Sequence, residues 1–227
     1  MVEIESNGGE SALLAALLIQ RFDGKWTTPD GWPSEADSSL VDSVFSTRAK
    51  YEVVVRPLVE RFRSSPLRDP KGSLATLASV SSKDLMDVIC NKQLVPGRSP
   101  NRMLKVDAVR AVATELVSRN WSTPAQILDA ATTFPAEFRS AFIKTSGVGQ
   151  AQYAYFLMLL GIPGVKPDTL VTAWVERELK LSSVSQKDIQ RIVIEAARKI
   201  GVDATTVDHT IWSEESKARG VAGRRRG

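Results

Sequence analysis

Helical periodicity restricts the fold of this chain more than any other feature. Apolar residues recur every three or four positions along most of the sequence, as they do on one face of an α-helix. No segment alternates apolar and polar residues between turn signals, and no unit repeats at a fixed period. The pattern therefore predicts an all-α protein of about ten helices. The predicted helices cover residues 11–22, 37–51, 53–63, 73–80, 82–90, 102–119, 136–145, 150–160, 168–180, 185–200 and 204–217, and one more begins at Ser122-Thr123-Pro124.

Length and composition exclude several classes of protein. The 227 residues suit one large domain or two small ones. The longest apolar run, residues 12–19, is far shorter than a membrane span, and no signal-peptide pattern stands at the start. We therefore expect no secretion, no membrane contact and a cytoplasmic, nucleoid-associated location. With one cysteine, Cys90, and one histidine, His209, the chain cannot form an internal disulfide, a multi-cysteine zinc site, a cysteine-ligated iron–sulfur cluster or a multi-histidine metal site.

Charge is distributed unevenly along the sequence. Residues 1–37 carry a net charge of −5, whereas the rest of the chain carries +9. A basic body of this kind is typical of proteins that bind polyanions such as nucleic acids. The basic residues near the end form either a mobile basic extension or an ordinary solvated terminus. They are Lys217, Arg219, Arg224, Arg225 and Arg226.

The sharpest motif lies in residues 141–180. A helix leads into Gly147-Val148-Gly149, an apolar helix follows, and Lys166-Pro167-Asp168-Thr169 then opens another helix after Gly161. Two glycines around one apolar residue allow a very tight hairpin, which leaves backbone N–H groups free at the start of the next helix. Such N–H groups, together with the helix dipole, form a phosphate site without a basic side chain.

These residues resemble the helix-hairpin-helix–GPD superfamily of DNA glycosylases, which includes endonuclease III, the MutY-type adenine glycosylases and the alkylpurine glycosylases. Gly147-Val148-Gly149 corresponds to the hairpin of the family, and Asp168, seven residues after Gly161, corresponds to its catalytic aspartate. The resemblance implies a two-lobed all-α fold with a cleft between the lobes. One lobe would contain residues 37–160, including the hairpin at 146–150, and the other would contain residues 1–36 and 161–227.

The resemblance also implies where double-stranded DNA would bind. Hairpin residues Gly147, Val148, Gly149 and Gln150 would grip the backbone of a duplex. In Val44-Phe45-Ser46-Thr47-Arg48, Arg48 stands where the family has a glutamine that fills the gap in the DNA, and Arg98 belongs to the nearby loop of residues 94–101. We expect a monomer without a cofactor, although a monovalent cation bound by the hairpin carbonyls is common in the superfamily.

Departures from the family pattern define the expected chemistry. Family members that also cleave the DNA strand carry a lysine just after the hairpin, but this position is Gln150 or Ala151 here, and the four-cysteine iron–sulfur loop is missing. The sequence therefore indicates a monofunctional DNA glycosylase of base-excision repair. Such an enzyme hydrolyses the N-glycosidic bond of a damaged or modified base, with Asp168 as the catalytic carboxylate. Leu170 stands where the family often has His or Asp, so the class of substrate does not carry over.

Two other interpretations remain open. A non-catalytic helix-hairpin-helix DNA-binding protein would lack the lysine and the cluster equally well, and an all-α interaction protein would need neither motif. An aspartate after proline at a helix start is most often only a helix cap. Other distinctive residues have ordinary roles as their first interpretation: Cys90 as a small core residue, His209 on a helix surface, and Tyr153, Tyr155, Phe156, Trp174 and Trp212 in packing.

Overall fold

The computed structural model describes residues 9–97, 102–166 and 168–224, with only the backbone given for 220–224. Within these residues the regular structure is helical, and the only β-type pairing is an isolated bridge between Leu94 and Leu104. The predicted all-α class is confirmed. The helices are α1 (Gly9–Phe22), α2 (Ala36–Phe45), α3 (Arg56–Arg63), α4 (Ala75–Ser79), α5 (Ser82–Ile89), α6 (Lys105–Val117), α7 (Pro124–Thr133), α8 (Pro135–Ile143), α9 (Gln150–Leu159), α10 (Thr169–Leu179), α11 (Gln186–Ile200) and α12 (Ala204–Arg224).

One predicted helix, over residues 37–51, is broken in the structure. α2 ends at Phe45, Arg48 takes a left-handed conformation with φ of 54°, and the chain resumes as a π-helical turn, Tyr51–Val55, that runs into α3. The carbonyl groups of Phe45 and Thr47 accept hydrogen bonds from the side chain of Lys105. A tertiary contact therefore takes the place of the helical hydrogen bonds that periodicity predicts here.

The helix predicted over residues 102–119 begins later, at Lys105. Before it, the N–H of Val95 donates to the carbonyl of Met103 at 3.0 Å, and the N–H of Lys105 donates to the carbonyl of Gln93 at 2.8 Å. The residues before α6 are thus extended against residues 93–95. Another prediction is wrong at Cys90, which is exposed and ends α5 with a left-handed φ of 53°.

The chain packs into two units, each with its own core. The terminal unit consists of the chain up to Asp30 together with the chain from Pro163 onward, and it contains α1 and α10–α12. Its buried side chains come from all four helices, with Trp174 the largest of them. Other members of this core are Leu14, Leu18, Val175, Ile189, Val193, Val207 and Ile211.

The middle unit, Gly31–Ile162, contains α2–α9 and the π-helical turn. Its core is larger, and each fully buried aliphatic or aromatic side chain contributes roughly 1.5–3 kcal/mol to folding. Tyr153 and Phe156 of α9 lie in this core, as predicted from their place on an apolar helix. Other members are Leu40, Phe45, Leu58, Phe62, Leu85, Val109, Phe138 and Phe142. Throughout the described part of the chain, every helix is too short or too polar to traverse a bilayer.

Candidate functional site

The two glycines of the hairpin have different structural roles. Gly147 has φ of +80°, and a Cβ atom added there would lie 2.6 Å from Cβ of Val95 and 3.1 Å from the carbonyl oxygen of Pro96. Only glycine fits such a position. Gly149 has ordinary extended φ and ψ of −136° and −168°, and the nearest atom to an added Cβ, Oε1 of Gln152, lies 3.7 Å away. The sequence motif needs its first glycine for folding, whereas its second has room for a side chain.

Hydrogen bonds inside the hairpin use up two of its amide groups. The N–H of Val148 donates to the carbonyl of Thr145, and the N–H of Gly149 donates to Oε1 of Gln152, both at 3.0 Å. Nε2 of Gln152 donates in turn to the carbonyl of Gly147 at 3.2 Å. The expectation that the amide near Gly149 stays free for a phosphate is therefore corrected, because Gln152 caps it.

The free amides stand at the start of α9 instead. Gln150 and Ala151 are its first two residues, and N–H groups at such positions have no acceptor within the helix. Arg139, an exposed cation, donates from Nε to Oε1 of Gln150 at 2.5 Å. The positive charge of Arg139 thus lies next to the positive end of the α9 dipole.

Two further segments lie next to the hairpin. Nζ of Lys105 bonds both the carbonyl of Thr47, at 2.7 Å, and Oε1 of Gln93, at 2.9 Å, so the turn after α2 and the segment before α6 meet. The close approach of Gly147 to Val95 joins that segment to the hairpin. We call residues 46–50, 91–97 and 145–149 the loop surface.

The loop surface carries exposed cations and one exposed apolar side chain. Arg48, Lys50 and Lys92 are exposed and, within the described residues, have no hydrogen-bond or ion-pair partner for their side chains. Arg102 lies just outside these segments and is likewise exposed, and its side chain passes close to Gly97 of the loop surface. Leu94, with 39% of its surface exposed, is the apolar residue.

Some predicted residues lie outside the described residues. They are Arg98, assigned to DNA binding, Pro167 of the aspartate motif, and Arg225 and Arg226 of the basic end.

Asp168 belongs to the terminal unit and caps α10. Its Oδ1 accepts hydrogen bonds from the N–H groups of Leu170 and Val171, each at 2.9 Å, and the residue is half-buried. The two amide donors at the start of α10 hold this carboxyl group in one orientation. Oδ2 is not used by the cap.

The backbone that leads to Asp168 is held by side chains from two other helices. Oγ1 of Thr205 accepts from the N–H of Gly164 at 3.0 Å, and Oδ1 of Asp208 accepts from the N–H of Lys166 at 3.1 Å. Nε2 of Gln190 donates to the carbonyl of Val165 at 2.6 Å. We call residues 163–166 and Asp168 the carboxylate segment, and these contacts fix its path.

Asp208 is a second carboxyl group that sequence reasoning missed. It is 5% exposed, and burial, together with the negative charge of Asp168, raises its pKa well above the usual value. The repulsion between the two carboxylates thus acts in the same direction as burial on Asp208. The signal in the sequence is an aspartate beside Val207 on the apolar face of α12, where a surface charge is out of place.

A buried polar cluster in the middle unit was also missed. Oδ2 of the fully buried Asp42 accepts from Nε1 of Trp32 at 3.0 Å and from the hydroxyl of Tyr51 at 2.8 Å. Burial, and next the charge of Asp42, raise the pKa of Tyr51. The cluster ties the π-helical turn to α2 and thereby sets where the loop surface begins.

The structure gives no amine at the position of the family lysine. Gln150 and Ala151 start α9, and Gln150 is engaged by Arg139. Among the described residues, no group of three or more His, Cys, Asp and Glu side chains is arranged to hold a metal ion.

Comparison with known proteins supports the fold. No curated protein matches the sequence. Among solved structures, the chain is similar to MBOgg1, which was solved in complex with a low-affinity DNA ligand. The likeness has a TM-score of 0.62 at 13% sequence identity, and it covers 94% of this chain and 71% of the MBOgg1 chain.

A family model describes nearly the whole sequence. It matches residues 12–216, which include α10 with its capping aspartate as well as the entire middle unit. The chain belongs to this family, which is described as a domain of unknown function, DUF8548.

Proposed function

We propose that this protein is a monofunctional DNA glycosylase that binds duplex DNA through the loop surface and uses Asp168 to release a damaged or modified base. The single observation that carries the proposal is the setting of Asp168: a half-buried carboxylate at a helix start, with one oxygen fixed by two amides and the other left out of the cap. The likeness in fold to MBOgg1 supports it.

The chemistry follows from the charge of Asp168. As the bond between the base and C1′ breaks, positive charge develops on the sugar, and a fixed carboxylate stabilises that charge. Water then adds its hydroxyl to C1′, while the base leaves with the proton. Because no lysine follows the hairpin, no Schiff base forms, and the product is an intact abasic site.

DNA binding would depend mainly on phosphate contacts. Exposed Arg48, Lys50, Lys92 and Arg102 supply positive charge, and the free amides at the start of α9 supply hydrogen bonds. Such contacts release counterions, so affinity should fall steeply as salt rises. Leu94 is an apolar side chain that can enter the gap left by an extruded base, a step that costs a few kcal/mol. The expected monomeric state, the nucleoid location and a cation at the hairpin stay predictions.

The decisive experiment measures base release from a panel of duplexes with alkylated, oxidised, deaminated and hypermodified bases. Wild type should release one class of base and leave strand breaks only after alkali, and borohydride should trap no covalent adduct. Asp168→Asn keeps the cap but removes the charge, so release should fall by a factor on the order of 1,000 while DNA affinity and stability hold. Release by the variant at the wild-type rate would show that Asp168 is not the catalytic carboxylate.

A non-catalytic DNA-binding protein is the second candidate. The observation that favours it is that the hydrogen bonds of Asp168 to Leu170 and Val171 are sufficient for helix capping alone. Under this alternative, wild type binds duplexes with the same salt dependence, but no base is released from any member of the panel.

A further inference from the structure

Lys105 is a lysine that lies in the interior of the middle unit. It is the first residue of α6 and is only 2% exposed. Its Nζ donates to the carbonyl of Phe45 at 3.0 Å, the carbonyl of Thr47 at 2.7 Å and Oε1 of Gln93 at 2.9 Å. An ammonium has three N–H donors, and each of these finds one acceptor.

Burying this charge is costly, because its partners are neutral oxygens and no carboxylate among the described residues is bonded to it. Loss of hydration lowers the pKa of Lys105 to about 8, and burial is the sole cause. Charged residues near it in the chain segments around it are Arg48 and Lys50 on the turn, Lys92 on the next segment, and Arg102, Asp107 and Arg110 around the start of its own helix. The helices packed against α6 add Asp37 and Asp42 on α2, Lys83, Asp84 and Asp87 on α5, and Glu137 and Arg139 on α8. A surface lysine would avoid this cost, so the position calls for an explanation.

The three acceptors belong to two of the three segments of the loop surface or border them. Phe45 and Thr47 lead into Arg48, while Gln93 lies between Lys92 and Leu94. Lys105 therefore holds both segments at one point, and the contact of Val95 with Gly147 extends that hold to the hairpin.

We propose that Lys105 is a positioning residue, which clamps the turn of Arg48 to the segment of Leu94 so that both meet duplex DNA together. The proposal rests on the proposed DNA binding. Lys105 itself meets no phosphate, since its ammonium is buried and its donors are used.

Protonation controls this clamp. A neutral amine keeps two N–H donors and gains a lone pair, so at least one of the three acceptors loses its bond. Because the folded pKa is lowered from 10.5, the folded state becomes more stable as pH rises from about 8 toward 10.5. DNA affinity, in contrast, should fall as the pH rises through about 8, because the clamp is lost as Lys105 gives up its proton. If Lys105 only stabilised the fold, DNA affinity would not fall over the pH range in which stability rises.

The test compares Lys105→Met with Lys92→Met. The second variant removes an exposed cation from residues 91–97, one of the two segments that Lys105 holds. At pH 7, Lys105→Met should bind a duplex about 10-fold more weakly with an unchanged salt slope, whereas Lys92→Met should lose about 3-fold and lower the slope by about one. From pH 7 to 9, wild-type affinity should fall by about 10-fold and that of Lys105→Met should stay level. Equal affinity of Lys105→Met and wild type, or the same pH profile for both, would overturn the proposal.

A second measurement tests, without DNA, whether Lys105 holds the turn in place. Trypsin cleaves after Arg48, and release of the turn should speed this cleavage at least 10-fold in Lys105→Met at pH 7. If wild type binds no duplex, the proposed function fails, and the cleavage rate alone decides whether Lys105 clamps the turn. Faster cleavage with undiminished DNA affinity would overturn the positioning role. Should Lys105→Met not fold, the wild-type pH profile of affinity against stability decides instead, and parallel trends would contradict the clamp.

Discussion

The loop surface and the carboxylate segment are both irregular backbone, yet they are held in place differently. The loop surface depends on a close contact at Gly147 and on the buried ammonium of Lys105, and its own cations Arg48, Lys50 and Lys92 are exposed, with no side-chain partner in the part of the chain that the structure describes. The carboxylate segment depends on neutral and acidic side chains that bond its backbone amides one by one. Long exposed cations suit a flexible polyanion, whereas a carboxylate that must face one atom needs a fixed backbone.

The largest expected effect is a difference in stability between alanine variants of the two hairpin glycines. Gly147→Ala should destabilise the protein by about 3 kcal/mol, because it forces a left-handed residue and a clash with Val95. Gly149→Ala is the control and should change stability by no more than about 0.5 kcal/mol, since its Cβ makes only an ordinary van der Waals contact with Gln152. Urea unfolding measures both, and equal losses would contradict the account of the loop surface.

A smaller effect tests the carboxylate segment through Asp208. Asp208→Asn keeps an acceptor for the N–H of Lys166, whereas Asp208→Ala leaves that N–H unpaired, so the alanine variant should be less stable by about 2 kcal/mol.

The pH dependence has a definite sign. The folded pKa of Asp208 is raised above 3.8, so wild type loses stability relative to Asp208→Asn as pH rises through that value toward the folded pKa. Unfolding at pH 4 and pH 7 measures the difference, which should grow toward pH 7. If Asp208→Asn is less stable than wild type at pH 7, the ionised carboxylate of Asp208 stabilises the fold and this account is wrong.

Gly149→Asp should weaken DNA binding without a loss of stability. Its Cβ makes only an ordinary van der Waals contact at the start of α9, where the carboxylate can cap the helix, so stability should be unchanged or slightly higher. The same charge would repel a phosphate, and duplex affinity should fall about 10-fold, or about 1.4 kcal/mol. Fluorescence anisotropy measures the affinity. If Gly149→Asp binds duplex DNA as tightly as wild type, the phosphate contact is not at the hairpin.

The smallest effect distinguishes free cations from paired ones. Arg102→Ala should weaken DNA binding about 3-fold and lower the salt slope by about one, because it removes an exposed cation that has no partner among the described residues. Arg119→Ala is the matched control, since Arg119 already pairs with Glu115 and Glu137. A salt titration of each variant measures the slopes, and equal slopes would place the DNA elsewhere.

Sequence periodicity could predict the helices because it records which face of each element is buried. A local signal also predicts one helix start: in Ser122-Thr123-Pro124, Thr123 caps α7 together with Gln126. The break after Phe45 could not be predicted, because its cause is a lysine far along the chain. Lys105 and Asp208 both lie on apolar faces of their helices, which marks their charges as unusual in sequence, but only the tertiary structure supplies their partners.

The hairpin motif was predicted as one unit, but its residues are not equivalent. Two glycines look alike in sequence, since the letter records neither φ nor the distance to a neighbouring backbone. Gln152 looks like an ordinary helical residue, and yet it closes a ring of hydrogen bonds with Gly147 and Gly149. Asp168 was singled out by its spacing from Gly161, whereas the side chains that hold its backbone come from helices that spacing does not reveal.

The π-helical turn Tyr51–Val55 gives this part of the chain one residue to spare. The N–H of Arg56 donates to the carbonyl of Tyr51, five residues back, whereas an α-helix joins residues four apart. Loss of one residue between them would therefore tighten the turn to an α-helical one and leave Leu58, Val59 and Phe62 of α3 on the core face on which they are now buried. Natural variation in this stretch should include single deletions, whereas a deletion inside α3 would turn the side chains after it by about 100° and put them out of phase with their neighbours.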